Sequence, residues 1–204
     1  MSARVDKVVV SGVFSLDGQD FDVDNNVWLV GDDDEVLVID APHDAAPIVE
    51  AIGGRKVTAI VLTHGHNDHI TAAPALREAT GAPIWFNDQD RMLWDMTHPD
   101  VAPDRDLAPG TRFTVAGTTL TALHTPGHSP GSTCLHAPDL TTVFTGDTLF
   151  CGGPGATGRS FSDHPTIVRS IRAQLLSLHG DTVVRTGHGD DTTIGVELGN
   201  VPAS

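Results

Sequence analysis

The segment Val57 to Leu62, apolar but for Thr58, runs directly into Thr63-His64-Gly65-His66-Asn67-Asp68-His69. A short apolar run without alternation suits a strand covered on both faces. Such a strand needs a layer on each side, which restricts the chain to a stacked α/β architecture. The residues that follow add a chemical constraint. His64, His66, Asp68 and His69 place four groups able to bind metal within six residues, and imidazole with carboxylate suits zinc and related cations. Four donors so close in sequence cannot all reach one tetrahedral ion from a regular strand or helix. On a loop turning from strand into helix they can fan out toward two neighbouring ions. Gly65 is then expected to let the backbone approach the ions, and Asp68 and His69 to enter the next helix.

Two adjacent divalent ions repel each other, so a carboxylate must lie between them and further imidazoles must complete their shells. Three later loops supply candidates: His128 in Thr125-Pro126-Gly127-His128-Ser129-Pro130-Gly131, Asp147 in Thr145-Gly146-Asp147-Thr148, and His188 between Gly187 and Gly189. Each follows a strand-like segment and adjoins glycine, as expected of loops built on a rigid scaffold. Taken singly, each is an ordinary turn. In series behind His-x-His-x-Asp-His they mark a metal site.

The 204 residues suit one domain spanning 1–204, long enough to remove roughly 70% of its unfolded surface from water. Strands are expected at Val5 to Phe14, Asn26 to Val30 and Val36 to Ile39, with Asp32 to Glu35 as a solvated turn. A helix over Ala45 to Ile52 should end at Gly53 and Gly54, and a second, Ile70 to Thr80, at Gly81. Phe86 to Gly110 reads as a short helix and a surface loop. Strands resume at Phe113 to Val115, Thr118 to Leu123, Ser132 to Leu135 and Thr142 to Phe144. A helical stripe over Thr166 to Leu178 precedes a last strand, Thr182 to Arg185. Two packed sheets with helices outside accommodate this order.

Twelve basic against 27 acidic residues give a formal charge of −15. Such a surface repels phosphate backbones and anionic lipids, so neither nucleic acid nor membrane is an expected partner. No apolar run approaches the roughly 20 residues of a membrane span, and Met1 to Val10 does not read as a secretory signal. A cytoplasmic location is expected. Two cysteines, Cys134 and Cys151, do not suggest a disulfide framework; Cys151 reads as a packed loop residue.

The motif series resembles the metallo-β-lactamase superfamily from Asn26 to about Gly195. The resemblance implies an αββα sandwich, two mixed β-sheets flanked by helices, with the site at the sheet edge. It assigns one metal to His64, His66 and His128, the other to Asp68, His69 and His188, and makes Asp147 the bridge. It casts Asp40, at the end of the strand Val36 to Ile39, as a carboxylate that orients a ligand imidazole. The cofactors implied are two divalent ions, zinc first, with iron or manganese accepted by the same donors.

Within the superfamily the chain is similar to the glyoxalase II-like hydrolases, which cleave thioesters of small cellular thiols. The strings that carry this likeness are Phe144 to Phe150, Gly158-Arg159-Ser160 with Asp163, Thr186 to Gly189 and Thr192 to Gly195. The chemistry expected is attack on a carbonyl by a metal-held hydroxide, with Asp68 taking the proton as the tetrahedral intermediate collapses. Glyoxalase II grips glutathione with basic and tyrosine residues in a C-terminal helical region; this chain ends soon after His188 and has no tyrosine. Glutathione recognition therefore does not transfer. Arg159 could meet a substrate carboxylate, and a thioester of a sugar-based thiol such as mycothiol would suit a site without the basic grip. The rivals on the same scaffold are an iron-dependent persulfide dioxygenase and a lactonase or phosphodiesterase. A homodimer is the expected assembly.

Overall fold

In a computed structural model, residues 2–203 are described, so Met1 and Ser204 of the expected 1–204 unit lie outside the described residues. Among the described residues the longer strands form two six-stranded sheets. The first runs in the order β1 (Arg4–Leu16), β2 (Gln19–Gly31), β3 (Glu35–Ile39), β4 (Lys56–Val61), β5 (Ile84–Phe86), β6 (Arg105–Asp106). Its first three strands pair antiparallel and the rest parallel. The second runs β14 (Thr192–Thr193), β13 (Val183–Thr186), β10 (Thr142–Gly146), β9 (Thr133–Ala137), β8 (Thr118–His124), β7 (Arg112–Val115). Here β10 and β13 are parallel and the other pairs antiparallel. A small hairpin joins β11 (Leu149–Phe150) to β12 (Gly153–Pro154).

Strand alternation sends successive side chains to opposite faces, and both faces of β3 and β4 are covered. Leu37, Ile39 and Val61 point between the sheets and pack with Leu120, Leu135 and Phe144. Val38, Ile60 and Leu62 point outward, against Ile48 of α1 (Ala45–Ile52), Leu76 of α3 (Ala73–Thr80) and Trp94 of α4 (Arg91–Thr97). On the far side of the second sheet, Val143 and Val184 pack with Ile167, Ile171 and Leu175 of the last long helix. Helix, sheet, sheet, helix is the expected αββα order.

Three expectations are corrected. The first two strands are each longer than Val5 to Phe14 and Asn26 to Val30, because Asp17 and Gly18 take positive φ of 55° and 72°. That is the backbone of a two-residue hairpin turn, whose twist lets both strands continue to Leu16 and Gln19. The helix expected over Ile70 to Thr80 is two: α2 (Asn67–Ile70), then α3. Pro74, in the first turn of α3, lacks an N–H and clashes with the carbonyl four residues back, so the axis breaks before it. The helix expected from Thr166 starts at His164 as α5 (His164–Ser170), capped by Asp163, whose carboxylate accepts the Thr166 N–H at 2.8 Å. It continues through Ile171–Leu175 as a π-helical turn, with the Leu176 N–H bonding the Ile171 carbonyl.

Phe144 lies fully buried between the sheets, its ring 6.0 Å from that of Trp28. Phe144→Ala is expected to lower the unfolding free energy by about 3–5 kcal/mol, read from a urea titration. A loss below about 1 kcal/mol would mean the two sheets do not depend on this contact.

Candidate metal centre

The carboxyl ends of β3, β4, β10 and β13 meet at one edge of the sandwich, and each emits a polar residue there: Asp40, His64, Asp147 and His188. The sheets are stitched together beside them. The Thr133 N–H bonds the Thr63 carbonyl at 2.8 Å, and the Asn26 N–H bonds the Gly187 carbonyl at 2.7 Å. As expected, the loop from Thr63 turns into α2 so that Asp68 and His69 enter its first turn.

All seven candidate donors converge. Nε2 of His64 and Nε2 of His128 lie 3.1 and 3.0 Å from Nδ1 of His66. Nε2 of His69 lies 3.2 Å from Nε2 of His188, and the latter is 3.3 Å from Asp68 Oδ2. Asp147 stands between the two groups: one oxygen is 3.3 Å from Nε2 of His69, the other 3.4 Å from His188 and 3.6 Å from His128. The centre is buried; His64, His66, Asp68 and His69 are each 5% exposed or less.

The far ring nitrogens are also fixed. Nδ1 of His69 meets Asp40 Oδ2 at 2.8 Å, and Asp40 also accepts the Thr63 N–H and hydroxyl. Nδ1 of His128 bonds the Ala156 carbonyl and Nδ1 of His188 the Asp24 carbonyl, both at 2.8 Å. Each of these three rings therefore presents Nε2 to the centre, its tautomer set from behind.

The donor set fits a pair of divalent cations. Ligands about 2.0–2.1 Å from a tetrahedral ion are roughly 3.3 Å apart, close to the separations within the cluster. Asp68 Oδ1 is buried without a hydrogen-bond partner, a costly state for a carboxylate oxygen unless something positive completes it. With five imidazoles, two carboxylates and no thiolate, the set suits zinc, iron or manganese.

Without a cation, protons carry the balance unevenly. Burial and then the neighbouring imidazoles push His64 far down and His66 to about 3. Burial opposes charging His69 and His188, but Asp147 and Asp68 prevail, raising His69 well above its ordinary range and His188 to about 10. In turn burial would raise the two carboxylates, yet His69 foremost holds Asp68 at about 2 and Asp147 lower than the usual carboxylate range. The neutral rings of His64 and His66 therefore lie beside a buried ion-pair network of Asp68, His69, Asp147 and His188.

Gly65 plays a different part from the one expected. A Cβ there would come within 2.8 Å of Leu93 Cβ and 3.0 Å of Asp90 Cβ, so its missing side chain makes room for α4, not for an ion. Gly187 is the close-approach glycine: a Cβ would sit 2.2 Å from Asp147 Oδ1. Arg159 does not touch the cluster. It lines the cavity above, its guanidinium 4.5 Å from the Phe21 ring centre and bonded to Gln19 Oε1 at 3.0 Å. Cys151 is exposed rather than packed, and Cys134 is buried; neither is in a disulfide.

Three supporting residues were not foreseen. Asp90, fully buried, accepts from the Gly65 N–H at 2.8 Å, the Ser129 hydroxyl at 2.6 Å and the Gly131 N–H at 2.5 Å. It thereby joins the loop of His64 and His66 to the loop of His128. Asn67, between two of the donors, binds Val13 and Ser15 of β1. Asn25 touches Asp68, His69 and His188. A signal for Asn25 lay in the pair Asn25-Asn26, which directly precedes the apolar stretch Val27 to Val30 of the same strand.

Fold and site together define a layered α/β protein with a His/Asp metal centre at the strand ends. A family model for the metallo-β-lactamase superfamily matches residues 21–188, and the chain belongs to that superfamily of metallo-hydrolases. It is 34% identical over 194 residues to the hydroxyacylglutathione hydrolase GloC of Haemophilus influenzae, covering 87% of this chain and 91% of that one. Among solved structures it is similar to the BLEG-1 B3 metallo-β-lactamase, with a TM-score of 0.80 and 28% identity over 95% of this chain and 98% of that one. It is also similar to TTHA1623 in a di-iron-bound form, with a TM-score of 0.78 and 32% identity over 88% and 95%. A third likeness is ETHE1 from Myxococcus xanthus, with a TM-score of 0.73 and 25% identity over 96% and 83%.

Two outcomes test this centre. Asp90→Ala leaves the buried Gly65 and Gly131 N–H groups without an acceptor and the Ser129 hydroxyl with Ser132 alone, and should cost more than about 2 kcal/mol of stability, with metal affinity lowered on the order of tenfold or more. Unchanged affinity in a folded variant would show that the two loops hold their places without it. The second concerns pH in the metal-stripped protein. His188, raised to about 10 from an ordinary 6.5, stabilises the fold fully below its unfolded value and loses that contribution as pH climbs through 10. The melting temperature after chelation should therefore fall between pH 6.5 and 10, and His188→Gln should flatten that slope; a flat wild-type profile would contradict the charged network.

Proposed function

We propose that the chain is a two-metal hydrolase that cleaves a thioester of a low-molecular-weight thiol. The observation that carries this reading is the cavity over the donor cluster. It encloses about 540 Å³, with His66, Asp68, His128, Asp147 and His188 at its floor and Phe14, Phe21, Phe150 and Arg159 in its walls. That volume suits a small-molecule ligand. The hydrolase name of the 34%-identical GloC supports the thioester.

In this reading His64, His66 and His128 would hold one divalent ion and Asp68, His69 and His188 the other, with Asp147 placed between the two groups and zinc the first choice. Such ions, when bound, would supply Lewis acidity and make water acidic enough to act as a nucleophile near neutral pH. The residues do the rest. Asp147 and Asp68 offset the charge, Asp40 keeps Nε2 of His69 facing the centre, and Asp68 takes the proton released when the tetrahedral intermediate collapses. The three phenylalanines exclude water from the acyl group.

Among the described residues Arg159 is the one arginine or lysine that lines the cavity, which Asp22 and Asp24 also line. A polyanionic thiol would meet repulsion there. A substrate with a single carboxylate, or a sugar-based thiol such as mycothiol, fits better. Arg159 is held in place by Phe21 and Gln19, so it can bind a carboxylate with little further loss of freedom.

The zinc-loaded protein should release free thiol from one member of a panel including lactoyl-glutathione and acyl or formyl mycothiol, with kcat/KM above roughly 10⁴ M⁻¹s⁻¹. Arg159→Ala should raise KM about tenfold with kcat nearly unchanged, as expected when ground and transition states lose the same contact. Negligible release across the panel sinks the thioesterase reading. Asp68→Asn with full metal content and an unchanged rate removes the proton role. The likeness to ETHE1 and to a di-iron protein keeps a second reading, an iron-dependent persulfide dioxygenase, which oxygen uptake by the iron-loaded protein would reveal.

A further inference from the structure

Asn25 on β2 is fully buried and stands among the donors of one half of the centre only. Its Nδ2 lies 3.1 Å from Asp68 Oδ2, 3.2 Å from Nε2 of His69 and 3.4 Å from Nε2 of His188. Asp68 as a carboxylate can only accept, so the amide nitrogen must face it and the amide oxygen must face away. That oxygen meets Nε2 of His43 at 2.8 Å. Since an amide oxygen has no hydrogen, the His43 ring carries its proton on Nε2 and donates.

His43 is itself held with little freedom. Its backbone φ is 48°, a region that costs a side-chain-bearing residue energy and persists only where the surroundings impose it. Its ring packs over Gly12 of β1, where an added Cβ would come within 2.2 Å of the ring. A glycine, a strained histidine and a buried amide thus form a line that ends on Asp68. Among the described residues, no hydrogen bond joins Asn25 to His64, His66 or His128.

We infer that His43 and Asn25 are positioning residues for one metal only: His43 fixes the Asn25 amide, and Asn25, by donating to Asp68 Oδ2, holds that carboxylate against His69 and His188. Donated hydrogens at Asp68 Oδ2 leave Asp68 Oδ1, which has no hydrogen-bond partner, as the oxygen free to turn to a cation. The inference rests on the two-metal reading of the site and is independent of the substrate.

The test is titration of the metal-stripped full chain with Co²⁺, followed by visible absorption and calorimetry. The wild type should take up two equivalents. In Asn25→Ala the first should bind within about twofold of wild type, while the second weakens on the order of 10–100-fold, the usual range when a partner behind a ligand is lost. His43→Ala should weaken the same equivalent by less. The double variant should be no worse than Asn25→Ala, because residues acting in one line are not additive. His43 lies half-buried on a loop, so this variant carries the test if Asn25→Ala does not fold. An unchanged second equivalent in both variants, equal weakening of both equivalents, or additive losses would each overturn the inference. A wild type that binds fewer than two ions would instead bring down the two-metal reading, and this inference with it.

Discussion

Like groups forced together are the constraint from which the rest of this molecule follows. Five imidazoles and two carboxylates present their donor atoms at separations of 3.0 to 3.6 Å. No sequence would hold that arrangement by local propensity, since neutral ring nitrogens repel and buried carboxylates demand compensation. It is held from behind by Asp40, by the carbonyls of Asp24 and Ala156, by Asp90 and by Asn25. Those supports come from four separate segments of the chain, with Asp24 and Asn25 together on β2 and Asp40, Asp90 and Ala156 each elsewhere, so the site is complete only once distant segments are packed together.

The two halves of the cluster are supported by different physics. His64 and His66 are kept neutral by burial, and Asp90 ties their loop to the loop of His128. Asp68, His69 and His188 form a charged network even without metal, braced by Asp40 and Asn25. A cation entering the first half finds His64 and His66 already uncharged. One entering the second must displace the protons on His69 and His188, so its affinity rises with pH more steeply.

The donors were legible in the sequence because their chemistry is carried by residue type and short spacing. His64 to His69 occupy six positions, and the three later loops announce themselves by glycine. Layering was legible for a similar reason, since the apolar run Val57 to Leu62 can only be a doubly covered strand. What could not be read depends on contacts distant in sequence or on backbone details. Asp90 looks like a surface acid until Gly65 and Gly131 are brought to it from 25 and 41 residues away. Asn25 looks like the end of a strand until β1 and β2 are seen to continue to the Asp17-Gly18 turn. That turn was a local signal available in the sequence, and extending both strands from it would have placed Asn25 inside β2. The break before Pro74 was equally available. The π-helical turn at Ile171–Leu175 has no such marker in the sequence.

The long hairpin of β1 and β2 serves the donor cluster at its base and the cavity at its outer half. Its base supplies Asn25 and Asn26, which brace Asp68 and the loop of His188. Its outer half leaves the core and frames the cavity with Phe14 and Phe21, and the Asp17 carboxylate accepts the Ser160 N–H. Arg159 rests on those same rings, so the loop carrying the cavity's basic group is fastened to the element that steadies the cluster. Asn67 closes the circuit by binding Val13 and Ser15 from within the metal loop. Rigid pairing of β1 with β2 over 13 residues each keeps this frame in register. Cavity shape can therefore vary at the hairpin tip and at residues 157–162 while the donors stay fixed. That division lets a scaffold of this kind change substrate without rebuilding its metal centre.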